Sequence, residues 1–465
     1  MVLSETNPYL VASILLILVP GIIFMNFYQG YWWDEVVYLG LAKSIASGGG
    51  YQINIGDEAH RPPFFPFFAS FFISFGEGSI RFISILFGAV SVLITYLFAK
   101  KLYNRKIALL SAMFLATSHF FLFFGQKILT ETIFIALSTG ALYFFYLGIE
   151  ENRKYLPLAG ILTGMSFLTR YPGILLIPIF FIYLLLRWVM SRKKKDYNVF
   201  LSRLLSKEFA LAVVIFILIL IPWLWNSQVA FGDIFGSLRE QSVKATSEPQ
   251  AGMWYYYLRH GIEIFGFVII FAIPALFFMI YNKKKGDMLV LTTVVMVLLF
   301  FSFLVSKKEM RWIFTYGSIF FIFSAVGVQR FGEWIKKERL IIAIAVLFSL
   351  FSFSVGLQII YYDLDSGKAM VSAGKWLGNN TEPNSYIIAE NYPVLNYVSG
   401  RKVFMFPKNE VDFYEHVRQY KITYYILDKW EPTTPVYARD IPSQLVVEFN
   451  EPSGQTVSIY KLTQS

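Results

Sequence analysis

PYLVASILLILVPGIIFMNF, residues 8–27, followed at residues 31–35 by YWWDE, decides how this chain is read. Twenty uncharged residues are enough to cross a hydrocarbon layer of about 30 Å at about 1.5 Å per helical residue. Tyr31, Trp32 and Trp33 then supply the aromatic belt that sits at a bilayer surface,. Bulky residues stand where a small-residue cleavage site would follow a secretory leader, so the run reads as a retained first span. Asp34 and Glu35 fall immediately outside it.

Working outward, similar apolar runs recur at 79–99, 107–125, 131–149, 155–171, 172–190, 209–226, 257–281, 287–305, 311–330 and 339–361. The sequence therefore predicts an all-α polytopic membrane domain over residues 1–361, with about eleven transmembrane helices and at most about thirteen. Composition agrees: 56% of the 465 residues are hydrophobic and 15% charged, whereas a soluble chain carries about 25% charged residues. Mean hydropathy is +0.53. The chain has no cysteine, which excludes disulfides and thiolate metal sites,.

The net charge of +10 would suit nucleic acid, but the cations are segregated. With the N-terminus inside, the inner connections hold Lys100, Lys101, Arg105, Lys106, Arg153 and Lys154, then Arg187, Arg192 to Lys195, Arg203 and Lys207, then Lys283 to Lys285, Lys336, Lys337 and Arg339. The alternate loops hold far fewer, which is the positive-inside pattern, and no nucleic-acid partner is needed. On this count the N-terminus is cytoplasmic. The loop 29–78, the turns near 125–131 and 306–311, and the loop 227–256 are extracytoplasmic. After residue 361 the long apolar runs stop. Short β-rich stretches, Ser385 to Ala389 and Ile422 to Leu427, alternate with helical stretches near 367–378 and 409–419. Residues 362–465 read as a small α/β domain on the same outer side.

Several groups on that side have chemistry to offer. Asp34 and Glu35 precede Val36 to Ser47, whose apolar spacing predicts a helix lying in the interface,. They read either as solvated carboxylates at a boundary or as a pair in which one pKa is raised for general-base work. His60-Arg61-Pro62-Pro63 turns the chain before the short apolar stretch 64–75,. Arg61 suits a phosphate at the membrane surface, or else snorkels. His60, beside Asp57 and Glu58, is either a divalent-metal ligand or a polar loop residue. Glu131 opens the 131–149 span, where Thr130 reads as an N-cap and the acid as a helix-dipole partner, or Glu131 as a second functional carboxylate. Arg170, Lys307, Lys308 and Arg311 run against the positive-inside trend. An anion at the outer leaflet, such as a lipid phosphate, accounts for them, as does local pairing with Glu309.

Taken in order, these pieces resemble the GT-C membrane glycosyltransferases, in the branch of the protein O-mannosyltransferases and aminoarabinose transferases. The resemblance runs through Tyr31-Trp-Trp-Asp34-Glu35, Arg61-Pro62-Pro63-Phe64, Lys127-Ile-Leu-Thr-Glu131, Gly164-Met-Ser-Phe-Leu-Thr-Arg170-Tyr-Pro and Lys307-Lys308-Glu309-Met-Arg311-Trp. It covers residues 8–330. Ala373-Gly-Lys-Trp376 and Asn391-Tyr-Pro are similar to the outer domain of prokaryotic members. His60-Arg61 stands where aminoarabinose transferases carry Glu-Lys, which keeps the cation and loses the carboxylate.

The resemblance implies an inverting transfer of a sugar from a polyprenyl-phosphate donor to a lipid, glycan or protein acceptor. It implies Asp34 as the base, with Glu35 and Glu131 shaping the site. It implies Arg61, Arg170, Lys307, Lys308 and Arg311 as holders of the leaving phosphate. The rival reading is a transporter or lipid-linked-sugar flippase. Transporters favour charges near the midplane and broken helices in matching halves, and here the charges cluster at the outer ends of spans.

Overall fold

The structure, a computed structural model, describes residues 7–53, 56–57, 60–190, 194–246 and 253–463. The chain is mostly helical and divides into two compact units. Residues 1–23, 59–65 and 81–359 form the first, and residues 24–58, 66–80 and 360–465 the second.

Among the described residues six helical stretches are long and apolar enough to cross a bilayer. These are Glu77–Leu102, Glu131–Glu150, Tyr171–Met190, Tyr197–Phe231, Lys285–Leu304 and Glu338–Asn380. Arg105–Thr117 and His119–Gly125, bent by 60°, make a seventh when read as one span. The other expected crossings fall on shorter or divided helices. Pro8–Phe24 and Leu156–Thr169 have 17 and 14 residues. The 257–281 run is broken at Gly266, whose φ of 74° ends Gly261–Phe265 and starts a new turn at Phe267.

In the first unit the Glu131–Glu150 helix is central, with 89% of its apolar window buried, while the Tyr197–Phe231 window is 6% buried. The exposed face of the latter carries Leu211, Val214, Ile217, Leu218, Ile221 and Trp225. Such a surface is stable only against hydrocarbon. Small residues set the close helix approaches. A Cβ on Gly21 would stand 2.6 Å from the Ile85 side chain, and one on Gly160 would collide with the Ala212 carbonyl. Hydroxyls tie the same helices together without exposing a donor to lipid. Ser91 Oγ donates to the Thr132 carbonyl at 2.9 Å, and Thr132 Oγ1 to the Ser84 carbonyl at 3.0 Å.

The second unit is built on a five-stranded sheet. A short antiparallel pair comes first in the chain, β1 (Gln52–Ile53) with β2 (Gly56–Asp57). The sheet comprises β3 (Tyr386–Ala389), β4 (Lys402–Phe404), β5 (Tyr424–Asp428), β6 (Ser443–Asn450) and β7 (Thr456–Leu462) in the order β4-β3-β5-β7-β6. The first three strands are parallel, β7 runs antiparallel to β5, and β6 runs antiparallel to β7. Alternation sends Ile387, Ala389 and Ile426 to one core with the Lys368–Asn380 and Tyr392–Ser399 helices. Ile388 and Tyr425 go to another with Phe413 of the Glu410–Tyr420 helix,. Val36, from the Trp33–Ala46 helix, completes the first of these cores. That helix, expected to lie along the interface, thus buries Val36, Val37, Leu39 and Leu41 in protein. Most of the first outer loop therefore packs with the C-terminal sheet rather than with the helices that the sequence division groups it with.

Candidate active site

The two acidic residues of the opening motif have different surroundings. Glu35 sits at the third position of the Trp33–Ala46 helix, where free backbone N–H groups favour a carboxylate,. Its Oε2 accepts the Trp32 N–H at 3.0 Å, and the residue is fully buried. Asp34, one position earlier, is half-buried. The segment before it is clamped by backbone and ring contacts. Gln29 N–H donates to the Leu364 carbonyl at 2.9 Å. Gly30 lies so close to the Ser366–Gly367 backbone that no Cβ would fit. Trp32 Nε1 donates to Asp363 Oδ1 at 3.3 Å, and the Trp33 ring meets Tyr392 edge-on at 5.0 Å.

Behind the helix stands a group absent from the expected site. The Glu77 carboxylate accepts the hydroxyls of Tyr31 and Tyr397, each at 2.5 Å. Lys43 Nζ lies 3.8 Å from the same carboxylate and 3.7 Å above the Tyr397 ring. Burial and the adjacent Glu77 charge push the Tyr397 hydroxyl well above the ordinary tyrosine range,. Burial lowers the Lys43 pKa, against the raising effect of Glu77. In sequence Glu77 is only an acid in the first turn of a long helix, and no local pattern marks its two tyrosine donors.

In the first unit a second constellation forms where three segments meet. Arg170 NH1 donates to Glu131 Oε1 at 2.8 Å and to Thr130 Oγ1 at 2.9 Å. Thr130 precedes the helix but makes no side-chain cap; its hydroxyl serves Arg170 instead. Glu131 is 1% exposed, and its Oε2 has no hydrogen-bond partner among the described residues. One acceptor valence of a buried carboxylate is therefore open to a ligand. Next to Arg170, the Tyr171 hydroxyl donates to the His60 carbonyl at 2.9 Å, which brings the His60–Arg61 turn to this corner. The Tyr316 hydroxyl donates to the Pro172 carbonyl at 2.9 Å, and its ring meets Phe134 at 5.4 Å. The turn leading to Tyr316 carries the remaining cations. Glu309 pairs with Lys307 at 3.2 Å and with Arg311 at 2.7 Å. Lys308 turns inward, its Nζ donating to the carbonyls of Phe301 at 2.7 Å, Ser302 at 2.8 Å and Val305.

Arg61, Glu131 and Arg170 all fall inside residues 60–225, which match the family profile of dolichyl-phosphate-mannose-protein mannosyltransferase. Residues 248–371 match the Alg9-like mannosyltransferase family. The fold is similar to ArnT from Cupriavidus metallidurans, solved with undecaprenyl phosphate bound, with a TM-score of 0.71 at 14% identity over 98% of each chain. Two stretches of the chain are thus similar to mannosyltransferase families, on a fold shared with ArnT. The chain is an integral, multi-pass membrane protein. A second structure with this fold is the Archaeoglobus fulgidus oligosaccharyltransferase AglB in complex with an inhibitory peptide and a dolichol-phosphate. Its TM-score is 0.66 at 13% identity, covering 98% of this chain and 74% of that one. An uncharacterized protein of Aquifex aeolicus (strain VF5) is 26% identical over 286 residues, 58% of this chain. The match spans 55% of that curated relative's length.

The metal question centres on His60. The residue is 8% exposed, and Asp57 and Glu58, its expected companions, have side chains outside the described set. Among the described residues no three His, Asp or Glu side chains gather as a metal site.

Proposed function

We propose that this protein is an inverting GT-C glycosyltransferase that moves a sugar from a polyprenyl-phosphate donor to an acceptor hydroxyl on the outer face of the membrane. The mannosyltransferase profile over residues 60–225 carries this reading, because it spans Arg61, Glu131 and Arg170 together. Likeness to a fold solved with undecaprenyl phosphate supports the donor class. The same matches weigh against the transporter or flippase reading, since the families named are glycosyltransferases. Eleven crossings, an inner N-terminus and an outer 362–465 domain belong to the proposal.

In the transfer, the acceptor oxygen attacks the anomeric carbon from the face opposite the phosphate, the bond from that carbon to the phosphate oxygen breaks, and configuration inverts. Asp34 takes the acceptor proton. Glu35, already spent on the Trp32 N–H, fixes the turn that presents Asp34. The leaving phosphate gains negative charge as the bond breaks, so fixed cations lower that barrier most. We assign this to Arg61, Arg170, Lys307 and Arg311. Lys308 has given its three donors to backbone carbonyls,, and its role is to shape the turn that carries its neighbours. Glu131 orients Arg170 through Oε1 and leaves Oε2 for a hydroxyl of donor or acceptor. A divalent metal at His60 stays within the proposal as an optional charge partner for the phosphate.

The test is transfer by purified protein supplied with polyprenyl-phosphate-linked hexoses and pentoses. Wild type should turn over at least one donor, and Asp34→Asn should be slower by about 10²–10⁴-fold, the usual contribution of a general base. Equal rates would remove Asp34 as the base, and silence with every donor would remove the activity.

A further inference from the structure

We infer that the C-terminal sheet carries a carbohydrate-binding subsite at the amino edge of its parallel strands, about one strand length from the Asp34 segment. A cavity of about 420 Å³ opens there, lined by Asn379, Thr381, Ser385, Tyr386, Lys421 and Tyr424 among others. Tyr386 begins β3, directly after Ser385, and Tyr424 begins β5. The rest of the wall is the C-terminal end of the Lys368–Asn380 helix, with Lys421 and Thr423 just ahead of β5.

The lining is chemically specific. It offers amides, hydroxyls and two tyrosines, with one anion and one cation, Glu382 and Lys421, to balance each other. A phosphate or nucleotide would ask for net positive charge, and an apolar ligand for an apolar wall. A polyhydroxyl ligand asks for what is present: mixed donors and acceptors beside aromatic faces. Both rings are already fixed, which lowers the ordering cost of binding. Tyr386 stacks on Phe404 with centroids 5.5 Å apart and planes 15° apart, and Tyr424 meets Trp376 edge-on at 5.8 Å.

Two details of the wall bear on its chemistry. Lys421 ends the Glu410–Tyr420 helix at φ 53° and ψ 47°, in the left-handed region where glycine is the unstrained choice,. Lys283 and Lys336 also take positive φ, and Lys421 is the one that lines the cavity. Asn379-Asn380-Thr381 has the form of a glycosylation sequon, yet it is built into the wall. Asn379 and Asn380 are the last helical residues, and Thr381 Oγ1 donates to the Leu377 carbonyl at 2.6 Å and accepts from Arg401 Nε at 3.0 Å.

The position suggests what is bound. Tyr392, which packs on Trp33, follows the opposite, carboxyl end of β3. Along the five residues of β5 the two edges are about 15 Å apart at roughly 3.3 Å per residue. The cavity would hold a remote part of an extended glycan whose reacting end lies near Asp34. That last link rests on the transferase reading, whereas carbohydrate binding does not.

Saturation-transfer NMR on the full-length protein in detergent separates the two. The probes are methyl glycosides of mannose, glucose, galactose and N-acetylglucosamine and their disaccharides. Wild type and Asp34→Asn should transfer saturation to the same probe equally. Lys421→Gly, which relaxes the backbone, and Tyr386→Ala should each lower the signal at least about fivefold, with circular dichroism unchanged. Absence of transfer to every probe, or unchanged transfer in both cavity variants when folded, overturns the subsite. Either outcome leaves the catalytic reading to its own assay.

Discussion

The Arg170–Glu131 pair shows what a buried charge demands of its neighbours. Glu131 is 1% and Arg170 17% exposed at the side chain, so neither ion has bulk water to fall back on. Removing one partner of such a pair strands the other, at a typical cost of 3–5 kcal/mol, whereas removing both together costs much less. Arg170→Met should therefore lower thermal stability by roughly 3–5 kcal/mol, and Arg170→Met with Glu131→Leu should recover most of it in differential scanning fluorimetry. Additive losses would mean that the two side chains do not act as a pair. In the sheet, Glu390 gives a residue-scale prediction of opposite character. Burial, and then the Glu431 charge, raise its pKa from 4.5 to about 7. The folded state thus holds a proton that the unfolded state has released between about pH 4.5 and 7. Stability contributed through this group is present below that window and falls as pH rises through it. Glu390→Gln should flatten the fall between pH 5 and 8 and leave the protein more stable than wild type at pH 8. A parallel pair of curves would show that Glu390 does not titrate in that range.

Elements differ in how much of their placement is local. The Glu131–Glu150 helix is legible in sequence because its uncharged run, 132–149, is about as long as a bilayer crossing needs and leaves few alternatives,. The 257–281 run satisfies the same length test and is nonetheless broken, since one glycine at φ 74° costs little in a composition-based reading and resets the helix,. The Trp33–Ala46 helix is the instructive case. Its apolar spacing predicts a helix correctly, but spacing cannot say whether lipid or protein covers the face, and here Val36 enters the core of the C-terminal sheet. The clamp on that helix is not legible at all. Glu77 meets Tyr31 across 46 residues and Tyr397 across 320, and such a pairing leaves no period or motif to read. If this carboxylate holds the element in place, Glu77→Ala should destabilise the second unit by roughly 2–4 kcal/mol, the worth of two charge-assisted hydrogen bonds. Glu77→Gln, which keeps an acceptor, should lose about half as much. Proteolysis between residues 364 and 463, followed by mass spectrometry, would report the loosening. Equal cleavage of all three proteins would reduce the clamp to a surface contact.

At the scale of the whole molecule, what matters is which residues face which compartment, and the placement of charge is the signal of it in the sequence. Lysines and arginines at 100–106, 153–154, 192–195, 283–285 and 336–339 occupy alternate connections, and translocation disfavours cations enough to make that alternation a topology. The proposed chemistry depends on it, because a polyprenyl-phosphate donor is useful where nucleotide sugars are absent, on the outer side. The chain has no cysteine, so every introduced thiol reports alone. In intact cells an impermeant maleimide should label Glu382→Cys in the sheet domain. It should label Lys154→Cys and Lys284→Cys only after the membrane is opened, with all three positions on exposed segments. The reverse pattern would put Asp34 and the sheet inside and end the case for a lipid-linked donor. Labelling at 154 and 284 that differs between the two sites would instead mean an odd number of crossings between them, contrary to the four predicted over 155–281. The same three thiols therefore test the orientation and the count together, and the count is the part that short and broken helices leave most open to measurement.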